Sequence, residues 1–568
     1  MATATSQTGF VSPMSADGMS LLHLDPLTGV GNFAFQALKV SQHPEMPIIH
    51  FQEKHSLAKG MKVDHLSLET LTQAAEKWSY WYWSKGVRAY DVVGVYTQDG
   101  PHQIVHLCAL SLIGAVAAIT NPEMPGDTAS EYFRKIRAKG IVCSPKQTNS
   151  LSVELKESLS FLAEVGRTSL PQKGESFPRF VHGWHDPVMI THSSGTTGAP
   201  KPVTLAHGQW FHGIRDNLAR QDGRTGDRRL IALPTSHNSA IAFLIHAVLE
   251  GGETLVICTQ DAVTVGKAIE QFRPQIVAAF SFTHTRLALQ LDKFEDLSSV
   301  RYWVNSGDAA HEKHIRKLVA VGHSVRNGAR RQGSIFVDGL GSSEMGHISF
   351  PIQHTLESDH YNRCIGRPHS WVQVKIFDEE GNSIDGVDTV GRLGVKSPSV
   401  TPGYWNDSEL TARSRRNGFF LTGDLVYRDQ QGRYFHVDRV TDVIDGVNGR
   451  TFSLLTEEIL IARTDAIDDC TVSSLTGPHG ERFPVALVWS DSPVRLEARS
   501  LLNGFNEALD LRGQPRLSAV FVVRPNEVPL GITGKVLRRE LQSKLDRIAD
   551  DPNKAPWVLD YATLDIED

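Results

Sequence analysis

The chain has 568 residues and a net charge of −6, with a charged fraction of 21% and a hydrophobic fraction of 40%. That length exceeds what one hydrophobic core supports, so at least two domains are expected, and the composition is that of a folded chain. The charge balance leaves no electrostatic footprint for nucleic acid: Arg326, Arg330 and Arg331, and Arg413, Arg415 and Arg416, are short clusters of the kind found on solvated turns.

Residues 1–20 lack the basic start and apolar core of a secretory signal and read as a loose N-terminal tail. The apolar run from Cys108 to Thr120 is too short to span a bilayer and reads as a buried helix followed by a strand, so no membrane span is expected. Apolar runs at Val92 to Tyr96, Gly140 to Ser144, Val188 to Ile190, Leu230 to Leu233, Thr254 to Cys258 and Ile276 to Phe280 alternate with helical stretches. That alternation predicts βαβ units and parallel sheets covered on both sides. Val395 to Tyr404 and Gly432 to Phe435 read as a smaller β-rich subdomain. After Arg439 come a strand, helices near Leu454 to Arg463 and Ala498 to Leu509, and a last strand at Ala519 to Val523. The fold class expected is therefore α/β: a large domain over 21–438 and a small α+β lid over 439–568. The five cysteines are scattered and odd in number, which points to reduced thiols in the cytoplasm rather than structural zinc. His311 and His314 have no third ligand near them in sequence and read as exposed helix residues.

The stretch 191–201, THSSGTTGAPK, follows an apolar strand with two glycines, a run of hydroxyls and a lysine. The NH groups left open by Gly195 and Gly198, the hydroxyls of Ser193, Ser194, Thr196 and Thr197, and the charge of Lys201 suit it to gripping phosphate oxygens. Taken alone, such a cluster is also an ordinary surface loop. It is not a Walker loop, because Lys201 sits between two prolines. Four more segments follow: DGLGSSEMG at 338–346, TGD at 422–424, Asp438-Arg439, and PLGITGKVLRR at 529–539.

In this order the five segments resemble the adenylate-forming superfamily of acyl- and aryl-CoA synthetases, luciferases and peptide-synthetase adenylation domains. The resemblance implies a carboxylate attacking the α-phosphorus of ATP, release of pyrophosphate, and passage of the acyl group to an acceptor. It implies roles for Ser343 at the α-phosphate, Glu344 at Mg²⁺, Gly339, Leu340 and Gly341 beside adenine, and Asp424 and Arg439 at the ribose. It further implies that Lys535 is the catalytic lysine that the lid carries into the cleft, with a hinge near 439–441. The acid pocket falls around His237, Asn238, Ser239, Thr283, Ser306 and Gly307, whose polar groups favour a small or aromatic acid over a bare alkyl chain.

The chain departs from these relatives after the hinge. An ungapped reading puts Thr441, Asp445 and Asn448 where a charged residue, a lysine and a glycine are common, although a one-residue shift brings in Gly449. Three readings follow: an AMP-forming ligase using CoA; an adenylating enzyme whose acceptor is an amine, a carrier-protein thiol or an internal hydroxyl, or which activates nitrite as diazotases do; and a silent nucleotide-binding regulator. Retention of both Lys535 and Glu344 argues against the third.

Overall fold

The computed structural model describes residues 12–171, 176–193, 200–220, 227–326, 329–490, 496–531, 533–548 and 558–563. Two largely parallel sheets organise the large body, one with a single antiparallel edge strand and the other with an antiparallel strand at each edge. The six-stranded sheet runs Phe161–Glu164, Gly140–Cys143, Val92–Tyr96, Val116–Ile119, Pro187–Ser193 and Lys201–Ala206. The eight-stranded sheet runs Ile348–His354, Ile335–Gly341, Tyr302–Ser306, Ile276–Phe280, Arg229–Ala232, Thr254–Val256, Pro47–Ala58 and Met61–Ser67.

These strands read as continuous apolar runs because both faces are covered. Val93 and Val95 from one sheet, and Ile231 and Ala278 from the other, meet the helices His102–Leu112 and Asn238–Glu250 in one core between the sheets. Their neighbours Val92 and Tyr96, and Val277 and Ala279, face outward into two further cores under other helices. An antiparallel sheet follows, built on Cys364–Gly366, Tyr434–Arg439, Phe419–Arg428, Gly391–Lys396 and Gln373–Phe377. This is the expected β-rich part.

Beyond Arg439 the hairpin Ile444–Gly446 and Gly449–Thr451 rides on the last body, where Val447 N donates to Arg482 O at 3.0 Å. That body is a sheet of Asp469–Thr476, Arg482–Trp489, Ala519–Val523 and Val558–Thr563, with apolar cores on both faces. Val558–Thr563 is a strand the sequence did not announce. It is an edge strand whose side chains are mostly exposed, so it carries no apolar run.

The loose-tail reading of residues 1–20 is corrected from residue 12 onward. Ala16–Leu24 is a helix capped by Ser15, Met14 and Met19 are buried, and Ser12 Oγ donates to the Gly251 carbonyl at 2.9 Å. Two methionines and Leu22 anchor this stretch among polar neighbours, a pattern too sparse for a periodicity argument. No helix among the described residues is long and apolar enough to cross a membrane.

Candidate active site

The parallel strands Ile276–Phe280, Tyr302–Ser306 and Ile335–Gly341 lie side by side and finish at one edge of the large sheet, where open α/β sheets receive ligands. A cleft with about 860 Å³ of empty space opens there. Ser306 and Gly307, Gly339 to Gly341, Asp424 and Arg439, and Lys535 all line it. Four segments far apart in sequence thus converge on one cleft.

Lys535 arrives on a tight turn in which Gly531 N donates to Lys535 O at 2.8 Å and Leu537 N to Pro529 O at 2.8 Å. Gly534, at φ +76°, lets the turn press against the large body, since a Cβ there would stand 2.2 Å from the Cβ of Phe282. The Lys535 ammonium is 3.9 Å from Asp308 Oδ2. Burial alone would raise the Asp308 carboxyl, but Lys535 and Arg363 hold it below its ordinary range.

Asp424 faces Arg439 across two antiparallel strands, and its Oδ1 accepts from Arg439 Nη1 at 2.9 Å. His436 Nε2 lies 3.4 Å from the same oxygen. Burial opposes ionisation of Asp424, yet Arg439 and His436 keep its carboxyl well below the usual range. Arg363 is buried at φ +66° and reaches His436 Nδ1 at 3.3 Å. No motif in the sequence signalled Arg363 or His436.

Glu344 Oε1 accepts from Ser193 Oγ at 3.0 Å and from Tyr404 OH at 3.2 Å, while its carbonyl accepts from Thr401 N at 2.7 Å. Ser343 precedes it, half-buried, and Ser193 pairs with Lys201 across the strands that flank the glycine-rich loop. Ser194, Gly195, Thr196, Thr197 and Gly198 lie outside the described residues. Among the described residues no three His, Cys, Asp or Glu side chains form a ready-made metal cage. The Glu344 carboxylate is an oxygen donor of the kind that suits a hard cation such as Mg²⁺.

His237 caps the helix Asn238–Glu250, its Nδ1 accepting from Ser239 N at 3.3 Å, so the ring proton sits on Nε2. Burial, with His192 nearby, pushes its pKa down to about 4, and the ring is neutral. Ser239 Oγ and Ser306 Oγ are 2.8 Å apart, a hydrogen bond joining that helix to the strand end. Asn238 is buried beside them. Thr283 is fully buried, and its hydroxyl donates to the Gln260 carbonyl at 3.3 Å.

The exposed-helix reading of His311 and His314 is also corrected. His314 is 1% exposed, and His311 is packed against Glu458 of the lid at 2.7 Å. A contact formed by residues 147 positions apart is invisible to local spacing. In the lid hairpin Gly449 takes φ +114° opposite Gly446, and Asn448 donates to the Arg516 carbonyl at 3.1 Å. Arg450 is held between Asp445 at 2.8 Å and Glu379 at 3.0 Å.

Comparison with known proteins places this chain among AMP-binding enzymes. The family model described as AMP-binding enzyme matches residues 38–405. A 3-aminoavenalumate diazotase from a Streptomyces species is 34% identical over 543 residues, covering 92% of this chain and 96% of its own. A 2-succinylbenzoate–CoA ligase of Bacillus cereus (strain Q1) is 26% identical over 468 residues, 82% of this chain and 90% of its own. Among solved structures, the anthranilate CoA ligase AuaEII in complex with anthranoyl-AMP superposes with a TM-score of 0.78 at 19% identity, covering 94% of this chain and 100% of that one.

Proposed function

The chain belongs to the AMP-binding enzyme family, and from that premise we propose that it is an ATP-dependent diazotase, joining nitrite to AMP and passing the nitrosyl group to an aromatic amine. Its chemistry is that of an AMP-forming ligase: an acid is adenylated, pyrophosphate leaves, and the activated group moves to an acceptor. The observation that carries the finer reading is the 34% identity to a diazotase along 92% of the chain. The Ser239–Ser306 hydrogen bond supports it, because two short polar side chains tie the pocket walls together where a small oxyanion is better matched than an alkyl chain.

In this reading a nitrite oxygen attacks the α-phosphorus, the bond to the β-phosphate oxygen breaks, and pyrophosphate departs with the electron pair. Lys535 offsets the charge that gathers on the phosphate oxygens. Asp424, held by Arg439, orients the ribose hydroxyls, and the neutral His237 presents an Nε2–H donor toward the acid. Glu344, fixed by Ser193 and Tyr404, would hold Mg²⁺, which when bound neutralises phosphate charge. The amine nitrogen then attacks the nitrosyl nitrogen, the N–O bond to AMP breaks, and AMP leaves as the amine gives up a proton. The nitrosamine formed tautomerises to the diazohydroxide, which takes up a proton and loses water to leave the diazonium ion. The five cysteines are free, which supports a reducing compartment such as the cytoplasm.

The test supplies ATP, Mg²⁺, nitrite and a panel of amino-substituted aromatic acids, and reads AMP together with azo-dye coupling. AMP formation that needs both nitrite and amine, with a coupled dye, is the expected result. AMP formed from an organic acid without nitrite overturns it and favours the second reading, ligation of an aryl acid to CoA, an amine or a carrier thiol. The similarity to the succinylbenzoate ligase supports that alternative.

A further inference from the structure

The helix Glu312–Val319 and the lid helix Ser453–Arg463 cap one another across the cleft. Glu312–Val319 has no side-chain cap of its own. Its N-terminus is closed by Glu458 from the lid, whose Oε1 accepts from Glu312 N at 3.1 Å and whose Oε2 accepts from His311 Nδ1 at 2.7 Å. In return, Lys313 Nζ donates to the carbonyls of Thr464 at 3.2 Å and Ile467 at 2.9 Å, which follow the last turn of Ser453–Arg463. A carboxylate at a helix N-terminus and an ammonium at a C-terminus are both favoured placements, and here each comes from the opposite body.

We propose that this reciprocal cap is the latch that seats the lid with Lys535 in the cleft, and that Glu458 and His311 are positioning residues for the lysine. The latch lies on the same segment as the lysine's partner, since Asp308 and His311 are three residues apart. Burial tends to neutralise His311, but Glu458, assisted by Asp469 at 4.0 Å from Nε2, raises its pKa to about 9. The pair is therefore a charged one at neutral pH. With 6% of the Glu458 side chain and 13% of His311 exposed, solvent screens it weakly. Removing one partner leaves the other buried and uncompensated, a much larger penalty than loss of a surface pair.

Hydrogen exchange on the ligand-free chain decides this without any substrate. Glu458→Ala is expected to speed exchange of the Glu312 amide and also of the remote Gly534 and Leu537 amides in the lysine turn, each by about tenfold or more, since 1.4 kcal/mol is a factor of ten. Glu458→Gln, which keeps an acceptor for Glu312 N but loses the charge, should fall between, and His311→Arg should stay near the wild type. Faster exchange at Glu312 with the lysine turn unchanged would reduce Glu458 to a local cap and overturn the proposal, as would no change at either place in Glu458→Ala and Glu458→Gln. Nitrite-dependent AMP release, read in parallel, judges the proposed function alone: absence of turnover in the wild type counts against that reading and leaves the exchange result standing.

Discussion

Tyr404 donates its hydroxyl to Glu344 Oε1 at 3.2 Å, joining the connection between the strands Gly391–Lys396 and Phe419–Arg428 to the carboxylate expected to hold a divalent cation. Burial first, and then the Glu344 carboxylate, raise the phenol's pKa, so it stays a donor across the working pH range. Tyr404→Phe removes that donor and leaves the ring. Partners of metal-binding carboxylates typically matter by 10- to 100-fold, so the Mg²⁺ concentration giving half-maximal pyrophosphate release should rise by about tenfold. An unchanged Mg²⁺ titration would mean that Ser193 alone orients Glu344.

Lys535→Ala should slow adenylate formation by about 10²- to 10³-fold, the effect of losing one preorganised charge-assisted donor of about 3 to 4 kcal/mol. ATP affinity should stay within a few-fold, because the lysine rides on a turn of the lid and acts on charge that develops during the reaction. Single-turnover quench measures the first quantity and equilibrium binding the second. A variant that forms the adenylate at the normal rate would remove Lys535 from the chemistry.

Burial pushes the Asp438 carboxyl up to about 7 from an ordinary 3.8, against the pull of Arg538. Asp442 and Glu457, which crowd the same guanidinium at 3.1 and 3.2 Å, add to the rise, while Arg439 N and Ser453 N donate to it. The folded state thus binds a proton here more tightly than the unfolded one. Its contribution to stability is fully present below about 3.8 and is lost as pH rises through about 7. Asp438→Asn, which keeps the shape without the titration, should flatten the fall in melting temperature between about pH 4 and 7. A parallel fall in the variant would place the titration elsewhere.

How much of this was legible beforehand follows the range of the interactions. The parallel strands showed themselves because residues such as Val92 to Tyr96 are buried on both faces, and an apolar run is the direct imprint of that. The segments that hold Lys535, Asp424 and Glu344 were legible as ordered motifs, and the fold brings Asp424 and Lys535 to one cleft. Tyr404, Arg363 and the His311–Glu458 pair were not, since each acquires its role from a partner brought close only by tertiary folding. The hydrogen bond from Thr283 to the Gln260 carbonyl was equally illegible, because its partner lies 23 residues away.

The lid hairpin bears on the acceptor. Gly449 supplies the positive φ that the turn needs. The charge pattern around it bears on whether CoA is used. Asp445 and Glu379 are 71% and 67% exposed and both engage Arg450, leaving this face with two carboxylates for one guanidinium. Exposed charges act only within about 8 to 10 Å at ordinary salt, a distance that a phosphate-rich ligand seated on the hairpin would enter. Turnover on the best acid or nitrite should therefore be unaffected by added CoA, and Asp445→Lys should introduce some stimulation at low ionic strength. Strong stimulation of the wild type, with one thioester formed per AMP, would establish CoA as the acceptor and remove the electrostatic argument.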